Sequence, residues 1–139
     1  MRILVALAAL SVLWAGPAAA ENGRLDWPLR PRPQVIREFN APSPNWQRGH
    51  RGVDLVATPG QSVYAAGGGT VVFAGELAGR SLVSIAHPGG LRTSYEPVHP
   101  AVRPGQTVTS QTVIGELEPG HLGCAAPACL HWGAMWGPA

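Results

Sequence analysis

After His50, glycine and proline cut the chain into runs too short to make helices. The runs SVYAA, TVVFAGEL, SLVSIAH, LRTSYEPV and TVTSQTVIGEL are rich in valine, isoleucine, threonine and aromatic residues. TPGQ, AGGGT, HPGGL and RPGQ fall between them. No stretch keeps a helical period over three turns, and an interior glycine or proline costs a helix about 1 or about 3 kcal/mol. Short β-rich runs at regular spacing predict an all-β domain, an antiparallel sandwich or barrel. In SLVSIAH, Leu82, Ser84 and Ala86 alternate with Val83, Ile85 and His87, the pattern of a strand with one better-buried face. The glycines of AAGGGT have the look of a phosphate cradle, but no P-loop lysine follows them. They are read as a tight turn between strands.

The first residues set the compartment. MRILVALAALSVLWAGPAAA offers Arg2, an apolar run from Ile3 to Ala15, and Ala18 to Ala20 as an A-x-A cleavage site. This predicts a secretory signal over residues 1–20, cut before Glu21. A retained anchor needs a span of about 20 apolar residues, and Gly16 and Pro17 interrupt this one. No other segment is long and apolar enough to span a membrane, so the mature product is expected to be secreted and soluble outside the cytoplasm, and a monomer is expected. The 119 residues after the cut match the size of one domain. A Pro/Arg-rich lead-in arm is expected over 21–46, carrying one strand around Val35, Ile36 and Phe39, followed by one β domain over 47–139. After the cut, nine arginines face eight acids, and lysine is absent. A balance this close to neutral argues against a nucleic-acid partner.

Three polar groups stand out against this background. His50 and Asp54 in GHRGVDL are four apart, which puts an imidazole and a carboxylate side by side, half of a zinc site. A hydrogen-bonded surface pair is the competing reading of the same spacing. If ACLHW is a strand, Cys129 and His131 share one face while Leu130 and Trp132 enter the core from the other. His131 is then either a third metal ligand or a histidine packed beneath Trp132 or Trp136. Two histidines and one carboxylate leave a fourth position open to water, the arrangement of a catalytic rather than a structural zinc.

Taken in order, GHRGVDL, TPGQSVYAAGGGTVVFAG, LVSIAHPGGLRTSYEPV, VRPGQTV, VIGEL and CLHWG resemble the zinc murein endopeptidases of the lysostaphin type, over about Trp46 to Trp136. The resemblance implies an antiparallel β-sandwich with an open groove, the lysostaphin-type peptidase (duplicated hybrid motif) fold. It implies Zn2+ held by His50, Asp54 and His131, and cleavage of peptide bonds in the peptide stems or cross-bridges of peptidoglycan. Members of that family usually run on past the equivalent of Trp136 through another strand-like segment, so a truncated reading frame with an incomplete last sheet edge is a further reading.

The departures from the family are equally specific. The first histidine of the family's HxH motif assists the reaction, and here that place is held by Cys129. A second assisting histidine, in a Tyr-x-His segment, is replaced by Pro97 of YEP. Each such group contributes about 10² to 10⁴ in general acid-base work. His99 is the first candidate substitute. Tyr95 is placed by the resemblance near the developing oxyanion, with strand packing as its other reading. Glu96 adjoins the vacancy and should face away from Tyr95. In a secreted chain, Cys124 and Cys129 are expected to form a disulfide; the competing reading makes Cys129 a thiolate that closes the zinc site. Two functions follow: a zinc metalloendopeptidase, or a catalytically degenerate zinc-binding module that binds or regulates at the cell wall.

Overall fold

A computed structural model describes residues 24–40, 52–120 and 123–137. The expected signal segment, His50, Trp46 and His121 lie outside the described residues. Among the described residues the regular elements are ten strands: β1 (Val35–Arg37), β2 (Val53–Ala57), β3 (Ser62–Tyr64), β4 (Gly69–Leu77), β5 (Arg80–Ala86), β6 (Leu91–Glu96), β7 (Val98–Pro100), β8 (Thr107–Val108), β9 (Val113–Leu117) and β10 (Ala128–Trp136), with one short 3-10 turn at Pro88–Gly90. They form a seven-stranded sheet in the order β1-β2-β10-β6-β5-β4-β8 and a three-stranded sheet in the order β3-β9-β7. Every pairing is antiparallel, as the punctuated β-runs predict.

The core lies between the sheets, and strand alternation selects it. Leu55, Leu130, Tyr95, Val83, Ile85 and Val71 come from the large sheet; Val63, Val98, Ile114 and Leu117 come from the small one. In β5 the buried residues are Ser81, Val83 and Ile85, followed by His87 just past the strand, so the alternation legible in SLVSIAH is the observed one. At about 25 cal/mol per Å² of apolar surface, a fully buried valine or leucine is worth roughly 1.5–3 kcal/mol, which makes this facing pair of rows the main source of stability.

The segment before β2 carries one strand, as expected, though its apolar cluster is not what anchors it. Val35, Ile36 and Phe39 are exposed, whereas Leu29 is buried and Leu25 and Trp27 pack against the core. Backbone bonds from Asp26 N to Ala66 O and from Tyr64 N to Pro28 O sew this segment to β3 and the turn after it. The Arg30 guanidinium stacks 3.8 Å above the Tyr64 ring. The turn between β4 and β5 is the two residues Ala78 and Gly79, at φ 53° and 76°. Positive φ at both positions is what the type I′ hairpin demands, and it fixes where Arg80 leaves the turn.

Candidate metal and substrate site

β2 and β10 are paired so that Leu55 faces Leu130, Asp54 faces His131 and Val53 faces Trp132. Leucines at one register position commit their faces to the core, so the residues one step along point away from it. Asp54 and His131 therefore meet on the outer face, where His131 Nδ1 lies 2.9 Å from Asp54 Oδ1. Asp54 is fully buried on that face, and the His131 side chain is 20% exposed. Gly52 completes the corner: a Cβ there would come within 2.5 Å of the Trp132 carbonyl oxygen and 3.0 Å of His131 Cε1 and Nε2. The backbone runs directly against the imidazole, and any other residue would displace it.

β10 also pairs with β6, and His131 faces Glu96 across that seam. Asp54, His131 and Glu96 thus form one row across three adjacent strands. Directly opposed residues have Cβ atoms about 4.5–5.5 Å apart and project from the same face. Glu96 is the functional candidate that the sequence undervalues. Its alternation with Tyr95 is legible, but only the β6–β10 register shows that the face opposite Tyr95 is the face of His131. The Glu96 carboxylate accepts a hydrogen bond from Arg80 Nη1 at 3.2 Å.

Tyr95, expected beside a developing charge, sits inside the core instead. It is fully buried; its oxygen accepts the Ala66 N–H at 2.8 Å and lies 2.8 Å from Thr93 Oγ1. The reason is parity, since the alternation that turns Glu96 outward turns Tyr95 inward. Burial pushes the phenol above its ordinary pKa, partly offset by its hydrogen bonds to Thr93 and Ala66. The network continues from Thr93 Oγ1 to His87 Nε2 at 2.7 Å and from His87 Nδ1 to the Gly68 carbonyl at 2.8 Å. A carbonyl only accepts, so Nδ1 carries the proton. In the neutral ring Nε2 then accepts from Thr93, which in turn accepts from Tyr95. His87, the last residue of the alternating run SLVSIAH, is a buried member of this chain.

His99 lies on β7 of the small sheet, 76% exposed, with Nδ1 3.7 Å from Glu118 Oε1. Among the described residues no hydrogen bond or ion pair joins it to Asp54, His131 or Glu96, so the structure does not bring this expected substitute to the pair. Cys124 and Cys129 form a disulfide, S–S 2.06 Å. This is the favoured of the two cysteine readings, and it removes Cys129 sulfur from metal chemistry. Trp132 packs 5.9 Å from Trp27, centroid to centroid, in the core, whereas Trp136 is 70% exposed.

The donors fit a divalent transition metal such as zinc. A carboxylate oxygen and an imidazole nitrogen lie 2.9 Å apart with the Gly52 backbone packed against the imidazole, and both are good zinc ligands. Among the described residues no three ligating side chains come together; the third expected ligand, His50, lies two positions before Gly52 and outside them.

Comparison with known proteins places this arrangement. The chain is 69% identical over 129 residues to an uncharacterized protein of Mycobacterium tuberculosis (strain ATCC 25618 / H37Rv), a match covering 93% of this chain and 52% of that protein. The chain thus spans about half the length of the curated relatives it matches. Among solved structures, a zinc containing peptidase from Vibrio cholerae aligns with TM-score 0.68 at 24% identity, over 81% of this chain and 37% of the other. The catalytic domain of the antimicrobial peptidase lysostaphin from Staphylococcus simulans aligns with TM-score 0.65 at 22% identity, over 77% and 83%. A chain of the SpoIIQ-SpoIIIAH pore forming complex aligns with TM-score 0.69 at 20% identity, over 81% and 84%. At these identities the three structures establish the shared antiparallel β fold and no more. The profile of peptidase family M23, however, matches residues 48–138, the whole stretch from GHRGVDL to the end of β10, and on that match the chain belongs to peptidase family M23.

Proposed function

We propose that this chain is an extracytoplasmic zinc metalloendopeptidase acting on peptide bonds of peptidoglycan. The observation that carries the reading is the buried Asp54–His131 pair, held at 2.9 Å over Gly52. Asp54 and His131 would hold the metal together with His50. The chemistry supplied by zinc, when bound, is Lewis acidity that polarises a peptide carbonyl and acidifies water at neutral pH. Asp54 would supply the negative charge that a dication needs in a buried place, and His131 would ligate through its unprotonated ring nitrogen. Glu96 faces the same side, with Oε1 tied to Arg80, and its carboxylate can take a proton from an entering water. The Cys124–Cys129 bond suits an oxidising compartment.

A second reading has an observation of its own. Both assisting-histidine positions hold groups that transfer no proton, Pro97 and a disulfide-bound Cys129. This favours a module that keeps the metal and the groove but binds rather than cleaves. One experiment decides between the two. Release of new amino groups from purified peptidoglycan is followed with the oxidised, zinc-loaded protein, with zinc content measured on the same sample and Asp54→Ala as control. Release that vanishes in the control supports the peptidase. Equal release in the control overturns it, and bound zinc without release selects the binding module.

A further inference from the structure

Beside the Asp54–His131–Glu96 row lies a cleft of about 250 Å³ whose walls include Gly79, Arg80, Ser81, Glu96, Pro97 and Glu118. We propose that this cleft is a subsite for an amino-acid head group, a single carbon bearing a free ammonium and a free carboxylate. The inference rests on the peptidase reading for its place in a substrate site, and on the following observations for its chemistry.

The walls are fixed by backbone. The type I′ turn at Ala78 and Gly79 sets Arg80 at the head of β5. The far wall is tied to the near one by the hydrogen bond from Glu118 N to the Pro97 carbonyl at 2.9 Å. Three charged groups face this space. Arg80 is 60% exposed, and its one hydrogen bond among the described residues goes to Glu96 Oε1 at 3.2 Å, which leaves most of its five donors for a ligand. Glu118 is 38% exposed, and the His99 ring lies beside it, with Nδ1 3.7 Å from Oε1. Glu96 is 14% exposed and stands between the cleft and His131, its register partner.

Those charges discriminate among ligands. A carboxylate alone would meet Arg80 but also the like charges of Glu96 and Glu118. An ammonium alone would meet Glu118 and Glu96 but would leave the remaining donors of Arg80 without an acceptor. A group carrying both, a few ångströms apart, satisfies Arg80 with one end and Glu118 with the other, and each contact is a charge-assisted hydrogen bond. The volume sets the size of the occupant. It is below the ~300 Å³ at which drug-sized pockets begin, a size suited to one head group. Because Glu96 is one strand from His131, a residue held here would place its neighbouring peptide bond toward the metal pair.

The test is an NMR titration of the purified, zinc-free protein with Nε-acetyl-lysine, in both D and L forms, which presents a free head group on an otherwise capped chain. The controls are Nα,Nε-diacetyl-lysine, which keeps only the carboxylate, and Nε-acetyl-lysinamide, which keeps only the ammonium. The expected result is shifts at Gly79 to Ser81 and at Glu118, with the zwitterion bound on the order of tenfold more tightly than either control. Arg80→Gln should weaken it by about tenfold, and Glu118→Gln by a smaller factor of the same order. Both side chains are solvent-facing, and an unchanged melting temperature verifies that each variant is folded. Equal binding of all three probes, no binding, or binding indifferent to Arg80→Gln would overturn the subsite. Zinc-free titration separates the two ideas. Cleavage of peptidoglycan without zwitterion binding removes the subsite and leaves the peptidase. Zwitterion binding without cleavage leaves the subsite and removes the peptidase.

Discussion

The two faces of the large sheet carry polar groups in opposite ways. On the inner face His87, Thr93 and Tyr95 form a chain in which each donor has an acceptor, ending on the Gly68 carbonyl and the Ala66 N–H. On the outer face Asp54, His131 and Glu96 stand in register with one carboxylate wholly buried and another reaching toward solvent through Arg80. The inner chain is closed upon itself, the condition under which buried polar groups stabilise a core. The outer row sets a buried carboxylate against an imidazole, with a second carboxylate one strand away that is tied to Arg80. One set of strands therefore supports a structural network and a candidate reactive site, separated only by side-chain parity.

The comparison breaks most completely if the outer row is structural as well. Asp54→Ala and His131→Ala should each lower zinc affinity by more than about 100-fold, the upper end of what even a ligand-supporting residue contributes. Thr93→Val should leave that affinity unchanged. Competition of the purified proteins against a zinc chelator measures this directly, and equal affinities for Asp54→Ala and the parent would end the assignment. Next in size is the disulfide. The Cys124–Cys129 bond closes a loop of five residues' separation, for which the chain-entropy relation gives about 2 kcal/mol. Replacing both cysteines by serine should cost about that amount in denaturant unfolding and leave zinc affinity within about twofold, because the sulfur is not a ligand. A large fall in affinity would instead return Cys129 to the metal.

Much of this was legible before any coordinates. Glycine and proline between β-rich runs dictated the antiparallel fold, because a short run cannot pay the nucleation cost of a helix but can pair with its neighbours. The Asp54 and His131 candidates followed from residue types and spacing, and the pairing of β2 with β10 places the two side by side. What stayed hidden depends on register between strands distant in sequence. Glu96 was visible as an outward residue, yet its alignment with His131 is a property of the β6–β10 pairing, 35 residues apart along the chain. Tyr95 was misplaced for the same reason, since a motif position carries no information about which face of the sheet it serves. His87 lacked any local signal, because its partners Gly68 and Thr93 come from flanking strands and turns. Arg80 was hidden among solvated arginines until the hairpin turn set it against Glu96.

On the inner face the tests are smaller and concern stability alone. Thr93→Val deletes the hydroxyl between His87 and Tyr95 and leaves a ring nitrogen and a phenol short of a partner in the core, at a cost of about 1–3 kcal/mol. Denaturant unfolding of this variant should show the loss with no change in zinc affinity; a fully stable variant would mean that the chain contributes nothing.

The subtlest prediction follows from the buried phenol. Its pKa is raised above 10.0 in the folded protein, so the folded state holds this proton more tightly than the unfolded chain does. Its contribution to stability is therefore fully present below pH 10 and is lost progressively as pH rises from there toward the folded value. The chain offers an unusually clean background for seeing this. It contains no lysine, both cysteines are in the disulfide, and Tyr64 is the only other tyrosine. Unfolding free energy measured between pH 8 and pH 11.5 should be flat at first and decline above about pH 10. Tyr95→Phe should start from a lower plateau, having left the Ala66 N–H without its acceptor, and should decline less. If parent and variant lost stability in parallel, the alkaline transition would not belong to Tyr95, and the inner chain would not be the closed network that sets it apart from the row on the other face.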